Sequence, residues 1–328
     1  MKTFNISLLA AAIAAAASIA APAFAQTAAS FPTKAVTLVV PFTPSSGSDT
    51  IARIIAPKLA ARWGQAVVVD NRPGASGNLG AKVVASAAPD GHTLLMAINS
   101  FTMTPAIYKN MNFDAVNDFA PVAKLAEAGY TFAVNANVPA KDMRSLIAYA
   151  KQNDGKLNYA SPGNGTPQHL AMELFKAGAG VNVVHVPYKG IQGALTDIMG
   201  GQVQMMFATV HSMRPPIDSG KVRALAVTGA ARNPLSPDVP TFREQGINYM
   251  DSIDAWYAVL APAHTPSELV ARLNRDFIEV MNDAEVKAAL GKQGLSIRTS
   301  SPAELTTIIK SDLARWKKVV TDANITAD

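Results

Sequence analysis

Residues 36–49 read VTLVVPFTPSSGSD, an apolar run from Val36 to Val40 that empties into a loop of small hydroxyl residues. An apolar run without polar alternation marks a strand buried on both faces, as in a parallel sheet covered by helices. Behind the loop, Thr50–Arg62 carries a helical pattern, with Ser48 or Asp49 placed as its cap. A second stretch, Tyr159–Ala171 (YASPGNGTPQHLA), repeats the design. It has a strand end, a small-residue loop, and a helix start with Thr166 as cap and Pro167 at the first position. Strand, loop and helix in that order form the repeating unit of an α/β fold.

The alternation continues outward from both stretches. Ala66–Val69, Thr93–Ile98, Leu157–Ala160, Val183–Val186, Val203–Phe207 and Arg223–Val227 read as strands. Between them lie helical patterns such as Met143, Leu146, Ile147 and Ala150. About eight strands are too many for one tidy sheet of this length. Two α/β lobes with mainly parallel sheets are therefore expected, joined by short crossings for which the strand-like Tyr130–Val134 and Trp256–Leu260 are the candidates. From Thr265 the chain turns helical, with capping boxes at Thr265–Glu268 and Ser301–Glu304, each with Pro at the first helical position. The second opens a helix with Leu305, Ile308, Ile309, Leu313 and Trp316 on one face. The glycine-rich run Gly74–Gly80 lacks dinucleotide-site spacing and reads as a tight strand-to-helix turn.

The amino terminus has a positive residue, Lys2, an apolar run over residues 6–21, and Ala23-Phe24-Ala25 as a cleavage site. This predicts a signal peptide over 1–25, a mature chain from Gln26, and a periplasmic location. The expected domains are 26–128 with 251–328, and 129–250. No cysteine is present, which excludes disulfides, thiolate metal sites, a cysteine nucleophile and a lipid anchor on cysteine. The net charge is +5, but the basic residues are scattered, so no nucleic-acid footprint is expected. Motifs for P-loop, metallopeptidase and serine-hydrolase chemistry are missing, and the five histidines never fall at metal-ligand spacing. No catalytic residue, metal or cofactor is expected, and the chain is read as a monomer. An alternative of another class is a secreted hydrolase whose Ser and His meet only across the fold.

A helix start leaves backbone N–H groups unpaired and carries a partial positive charge. Such starts bind anions without a charged side chain, and in open α/β sheets they lie beyond the carboxyl ends of strands. The two loops together predict a carboxylate held between the lobes, with Ser45, Ser46, Ser48, Ser161 and Thr166 adding hydroxyl groups. Phe42, Phe101, Met103 and Trp256 are candidates to sandwich a flat ring. Thr209 and His211 stand at a further strand end, where His211 could meet a second carboxylate; Arg214 and Arg232 are further candidates. Apart from Asp49, read as a cap, these strand ends carry no acid. An α-ammonium would lack a partner, which argues against amino acids.

These residues resemble the Bug, or TctC-like, family of periplasmic solute-binding proteins of tripartite tricarboxylate transporters. The resemblance rests on VTLVVPFTPSSGSD, VVVDNRPGASGNLGAKVVASAAPDGHTLL, GKLNYASPGNGTPQHLAMELFKAGAGVNVVHVPYKG, ALTDIMGGQVQMMF, VRALAVT and DVPTF, in the family's order. It implies two lobes of the periplasmic-binding-protein type closing on a small carboxylate. The grip comes from the two glycine-rich loops, Gly163 and Gly165 among them. It also implies delivery to transporter membrane subunits and no catalysis. Two positions depart from the family: Pro44-Ser45-Ser46 replaces its usual P-G-G, and Ala208 stands where many members carry Asp or Asn. The ligand expected is an aromatic dicarboxylate such as terephthalate, with an aliphatic di- or tricarboxylate as the alternative.

Overall fold

The computed structural model describes residues 30–108, 111–229, 231–250, 253–322 and 325. The expected signal peptide and its cleavage site lie outside them. The first half-lobe runs β1 (Val36–Val40), α1 (Gly47–Trp63), β2 (Val67–Asn71), α2 (Asn78–Ala85), β3 (Thr93–Ile98), α3 (Ser100–Ile107) and β4 (Phe119–Ala128). The chain then builds β5 (Tyr130–Asn135), α4 (Met143–Gln152), β6 (Asn158–Ser161), α5 (Pro167–Ala179) and β7 (Val184–Pro187). The same lobe continues with α6 (Ile191–Gly200), β8 (Met205–Thr209), α7 (Val210–Asp218) and β9 (Val222–Val227). It returns through β10 (Ala255–Pro262), α8 (Ser267–Asn282), α9 (Ala284–Lys292), β11 (Ser296–Ile297) and α10 (Pro302–Asp322).

The strands form two sheets, ordered β11-β4-β10-β3-β1-β2 and β7-β6-β8-β5-β9. In the first, β2, β1, β3 and β4 share a direction, which β10 and β11 oppose. In the second, β7, β6, β8 and β9 share a direction and β5 opposes it. The reversed strands β10 and β5 are the ones that enter a sheet directly after the chain crosses from the other lobe. Continuous apolar sequence explains their burial: every residue of β5, β8 and β10 is buried.

The first crossing is short and is tied to the ends of the second. Gly129 alone separates β4 from β5. The Tyr130 amide donates to Thr228 Oγ1 at 2.8 Å, and Thr228 Oγ1 donates in turn to Asp254 beside β10. A core of buried residues from both lobes, among them Leu38, Ile51, Phe132, Phe207 and Phe277, runs through this region.

Local capping departs from expectation in two places. The helix after the first loop begins at Gly47 and its cap is Ser46, whose Oγ accepts from the Asp49 amide at 3.4 Å. Ser48 and Asp49 are therefore helical residues. At Thr265 the hydroxyl donates to Pro262 O at 2.7 Å, so Pro266 precedes α8 and the box does not form. At Ser301 the box is complete: the Ser301 amide donates to Glu304 Oε2 at 2.7 Å, and the Glu304 amide to Ser301 Oγ at 3.2 Å. No helix among the described residues is long and apolar enough to cross a membrane.

Candidate functional site

The carboxyl ends of β1, β3, β6, β7 and β8 open on one cavity of about 620 Å³, walled by both lobes. Five helices begin at its wall. These are α1 at Ser46–Ser48, α2 after Gly77, α5 at Thr166–Gln168, α6 after Gly190 and α7 after Thr209. Each start contributes roughly half a positive charge and unpaired amides. Among the described residues the lining holds no Asp or Glu and one cation, Lys189. The cavity therefore favours anions.

The first loop takes its shape from a carboxylate beneath it. Asp49 Oδ2 accepts from the Ser45 amide at 2.9 Å, while Arg53 Nε and Asn71 Nδ2 donate to the same carboxyl group at 3.0 Å. Burial alone would push the Asp49 pKa up, but these hydrogen bonds outweigh it and hold the group below its ordinary value. Asn71 also donates to Phe42 O at 3.0 Å, tying the loop to β2. Ser45 has φ 67°, in the left-handed region that favours glycine. The backbone thus keeps a glycine-like turn although a serine occupies it. Among the described residues, the Gly47 and Ser48 amides meet no protein acceptor, as expected for the first turn of a helix.

The second loop is fixed from within its own lobe. Ser161 is fully buried, with Oγ 2.6 Å from His185 Nε2 and accepting from the Gly163 amide at 3.2 Å. His185 stacks between Tyr159 and His169, at ring separations of 4.6 and 4.2 Å. His169 Nδ1 accepts from the Gly165 amide at 3.0 Å. Thr166 has the backbone of a cap, but its hydroxyl donates to Gly163 O at 2.7 Å and makes no cap hydrogen bond. Its proton goes to the loop carbonyl, so the hydroxyl helps to hold the loop closed.

Of the site residues expected from sequence, Phe42, Ser46, Ser48, Gly163, Thr166 and Thr209 line the cavity. Ser45, Ser161 and Gly165 stand behind it as loop supports. Phe101 lies elsewhere, stacked on Phe113 at 5.9 Å and edge-on to Phe119 at 5.0 Å in the core. Met103 is core too, and Trp256 is buried with its Nε1 donating to Asp312 at 2.8 Å. His211 is also displaced. Because α7 starts at Val210, Thr209 and Ser212 share the cavity face, three residues apart, and His211 turns away. Both its ring nitrogens are buried without a partner among the described residues, and burial pushes its pKa down. Arg214 pairs with Asp218 and Arg232 with Glu244, away from the lining. The Ser161–His185 pair is the closest approach to hydrolase geometry, but its serine is sealed from the cavity.

Sequence reasoning missed the third loop and the tyrosines. Residues 73–77 line the cavity with four consecutive positive φ values from Gly74 to Gly77. Ser76 Oγ donates to Asn164 O in the second loop, and Tyr108 Oη donates to the same carbonyl at 3.1 Å. These two bonds bridge the lobes. Tyr130, Tyr188 and Tyr257 complete the aromatic wall. The signal for the third loop is the glycine-rich run Gly74–Gly80 after a strand, which by sequence alone reads as a turn without a ligand role.

The family model described as Tripartite tricarboxylate transporter family receptor matches residues 51–325. The chain belongs to that family. The UPF0065 protein in the tcbD-tcbE intergenic region of Pseudomonas sp. (strain P51) is 37% identical over 304 residues, 93% of this chain and 90% of that one. Two solved structures are also similar. R. palustris Rpa4515 with adipate has TM-score 0.85 and 35% identity, covering 90% of this chain and 99% of that one. MatC (Rpa3494) from Rhodopseudomonas palustris with bound malate has TM-score 0.82 and 32% identity, covering 88% and 100%. A receptor of the tripartite tricarboxylate transporter family is thus a solute-binding protein by fold and by sequence.

Proposed function

We propose that this chain is a periplasmic receptor that captures a small carboxylate and delivers it to the membrane subunits of a tripartite tricarboxylate transporter. The favoured ligand is an aromatic dicarboxylate such as terephthalate. The observation that carries this reading is the convergence of five helix starts on one cavity whose lining, among the described residues, holds no acid. One carboxylate sits between α1 and α5, where two loops present amides from opposite lobes. The ring lies among Phe42 and the tyrosines, and the second carboxylate meets Lys189. That lysine forms no ion pair among the described residues. Ligand closes the lobes, 26–128 with 251–328 and 129–250, about crossings near residues 129 and 251. Loss of residues 1–25 leaves the mature receptor free in the periplasm.

The cavity volume falls within the range usual for small-molecule sites. Micromolar binding requires about 8 kcal/mol net. A few charge-assisted hydrogen bonds of about 1.5–3 kcal/mol each, with burial of one ring, supply that after association costs. The second reading is an aliphatic dicarboxylate, favoured by the adipate and malate held by the two solved relatives.

Calorimetry and thermal shift on the mature protein test these readings. Terephthalate should bind tightly, benzoate far more weakly, and glutamate not at all. Tighter binding of adipate or malate selects the second reading. Tight glutamate binding, or no carboxylate binding, overturns both. Periplasmic material whose intact mass still includes residues 1–25 would refute the export step.

A further inference from the structure

Tyr257 comes to the cavity from β10, the reversed strand between β3 and β4. It is 3% exposed, and no group among the described residues hydrogen-bonds its hydroxyl. The phenol lies against the start of α1. A Cβ added to Gly47 would fall 2.2 Å from Tyr257 Oη and 2.8 Å from Cζ. Glycine at 47 is therefore what lets the hydroxyl stand beside the first amides of the helix. Burial pushes the Tyr257 pKa far above 10, so the group stays a protonated donor across the working pH range. The residue lines the cavity, so a ligand meets its hydroxyl without first breaking a protein hydrogen bond. The orphan donor and the unpaired Gly47 and Ser48 amides share one side of the cavity.

We propose that Tyr257 is a ligand-binding residue whose O–H donates to the carboxylate held by the Gly47 and Ser48 amides. The inference rests on the carboxylate reading above. It assigns the first-lobe half of the grip three donors, two from backbone and one from a side chain on a strand remote in sequence. The two amides can only donate and the phenol donates beside them, so the three together favour a group rich in acceptors such as a carboxylate.

Calorimetry with terephthalate, adipate and malate as probes tests the assignment, using wild type, Tyr257→Phe and Gly47→Ala. Tyr257→Phe should bind the preferred probe ~10- to 150-fold more weakly, the range for losing a hydrogen bond to a charged group. Its ligand-free melting temperature should match wild type, because the hydroxyl has no protein partner to lose. Gly47→Ala should weaken binding as well, since its new Cβ displaces the phenol. Unchanged affinity in either variant overturns the assignment, as does a ligand-free Tyr257→Phe that melts markedly lower. Wild-type protein that binds none of the probes defeats the carboxylate reading itself, and the role of Tyr257 falls with it.

Discussion

Ser76→Ala combined with Tyr108→Phe removes both hydroxyl groups that bridge the lobes through the Asn164 carbonyl. Each neutral hydrogen bond contributes about 0.5–1.5 kcal/mol net, so the pair holds the lobes together by ~1–3 kcal/mol. Where closing is coupled to binding, that sum passes into the observed dissociation constant, a loss of roughly 5- to 150-fold. The two donors share one acceptor and each weakens the other, so the double variant should lose more than the sum of the singles. Both residues also line the cavity, and the kinetic split separates a bridge from a ligand contact. On the closure proposed above, the bridge forms as the lobes close, so its loss should speed release and leave association within a few-fold. Stopped-flow kinetics with small-angle scattering of free and liganded protein measure this. A double variant that releases ligand at the wild-type rate and compacts equally on binding refutes the reasoning.

Lys189→Gln should weaken a dicarboxylate by about tenfold or more while leaving a monocarboxylate nearly unaffected, because only the former brings a second charge to the lysine; calorimetry with terephthalate and benzoate decides it. Thr166→Ala should cost only a few-fold in affinity, about 0.5–1.5 kcal/mol, because its proton is already committed to Gly163 O. A loss above a hundredfold would instead make the hydroxyl a direct donor to the ligand. His211 has a pKa lowered from 6.5 by burial, so the unfolded chain takes up its proton first. Stability from this group is present above pH 6.5 and lost as pH falls below it; melting temperatures of His211→Phe should show a flatter slope there than wild type.

Features fixed by neighbours in sequence could be read directly. The strand at Val36–Val40 needed only an unbroken apolar run, and the box at Ser301 and Glu304 needed only its own turn. The two glycine-containing loops were legible for the same reason, since strand end, cap and helix start lie within about a dozen residues. Features fixed by phase or by pairing were not. His211 depended on α7 starting at Val210, where a shift of one residue rotates a side chain by ~100°. β4 contains Pro121 and Lys124 and alternates poorly; it is a strand because β10 pairs with its whole length. Tyr257 reaches the cavity only because β10 inserts between β3 and β4, an order that no local pattern encodes.

The single glycine between β4 and β5 bears on how such a receptor could be read by its partner. One crossing has two soft torsions of its own, those of Gly129, and the other is clasped to it through Tyr130, Thr228 and Asp254. On the closure proposed above, this clasp would limit how the lobes move relative to one another. Tyr130 is both the first residue past that pivot and part of the cavity wall. A solute that presses on Tyr130 therefore works a short lever whose long arm is the whole second lobe. Solutes of different length would set different angles, and a membrane partner touching both lobes could measure the solute as a gap between two surfaces without ever contacting it.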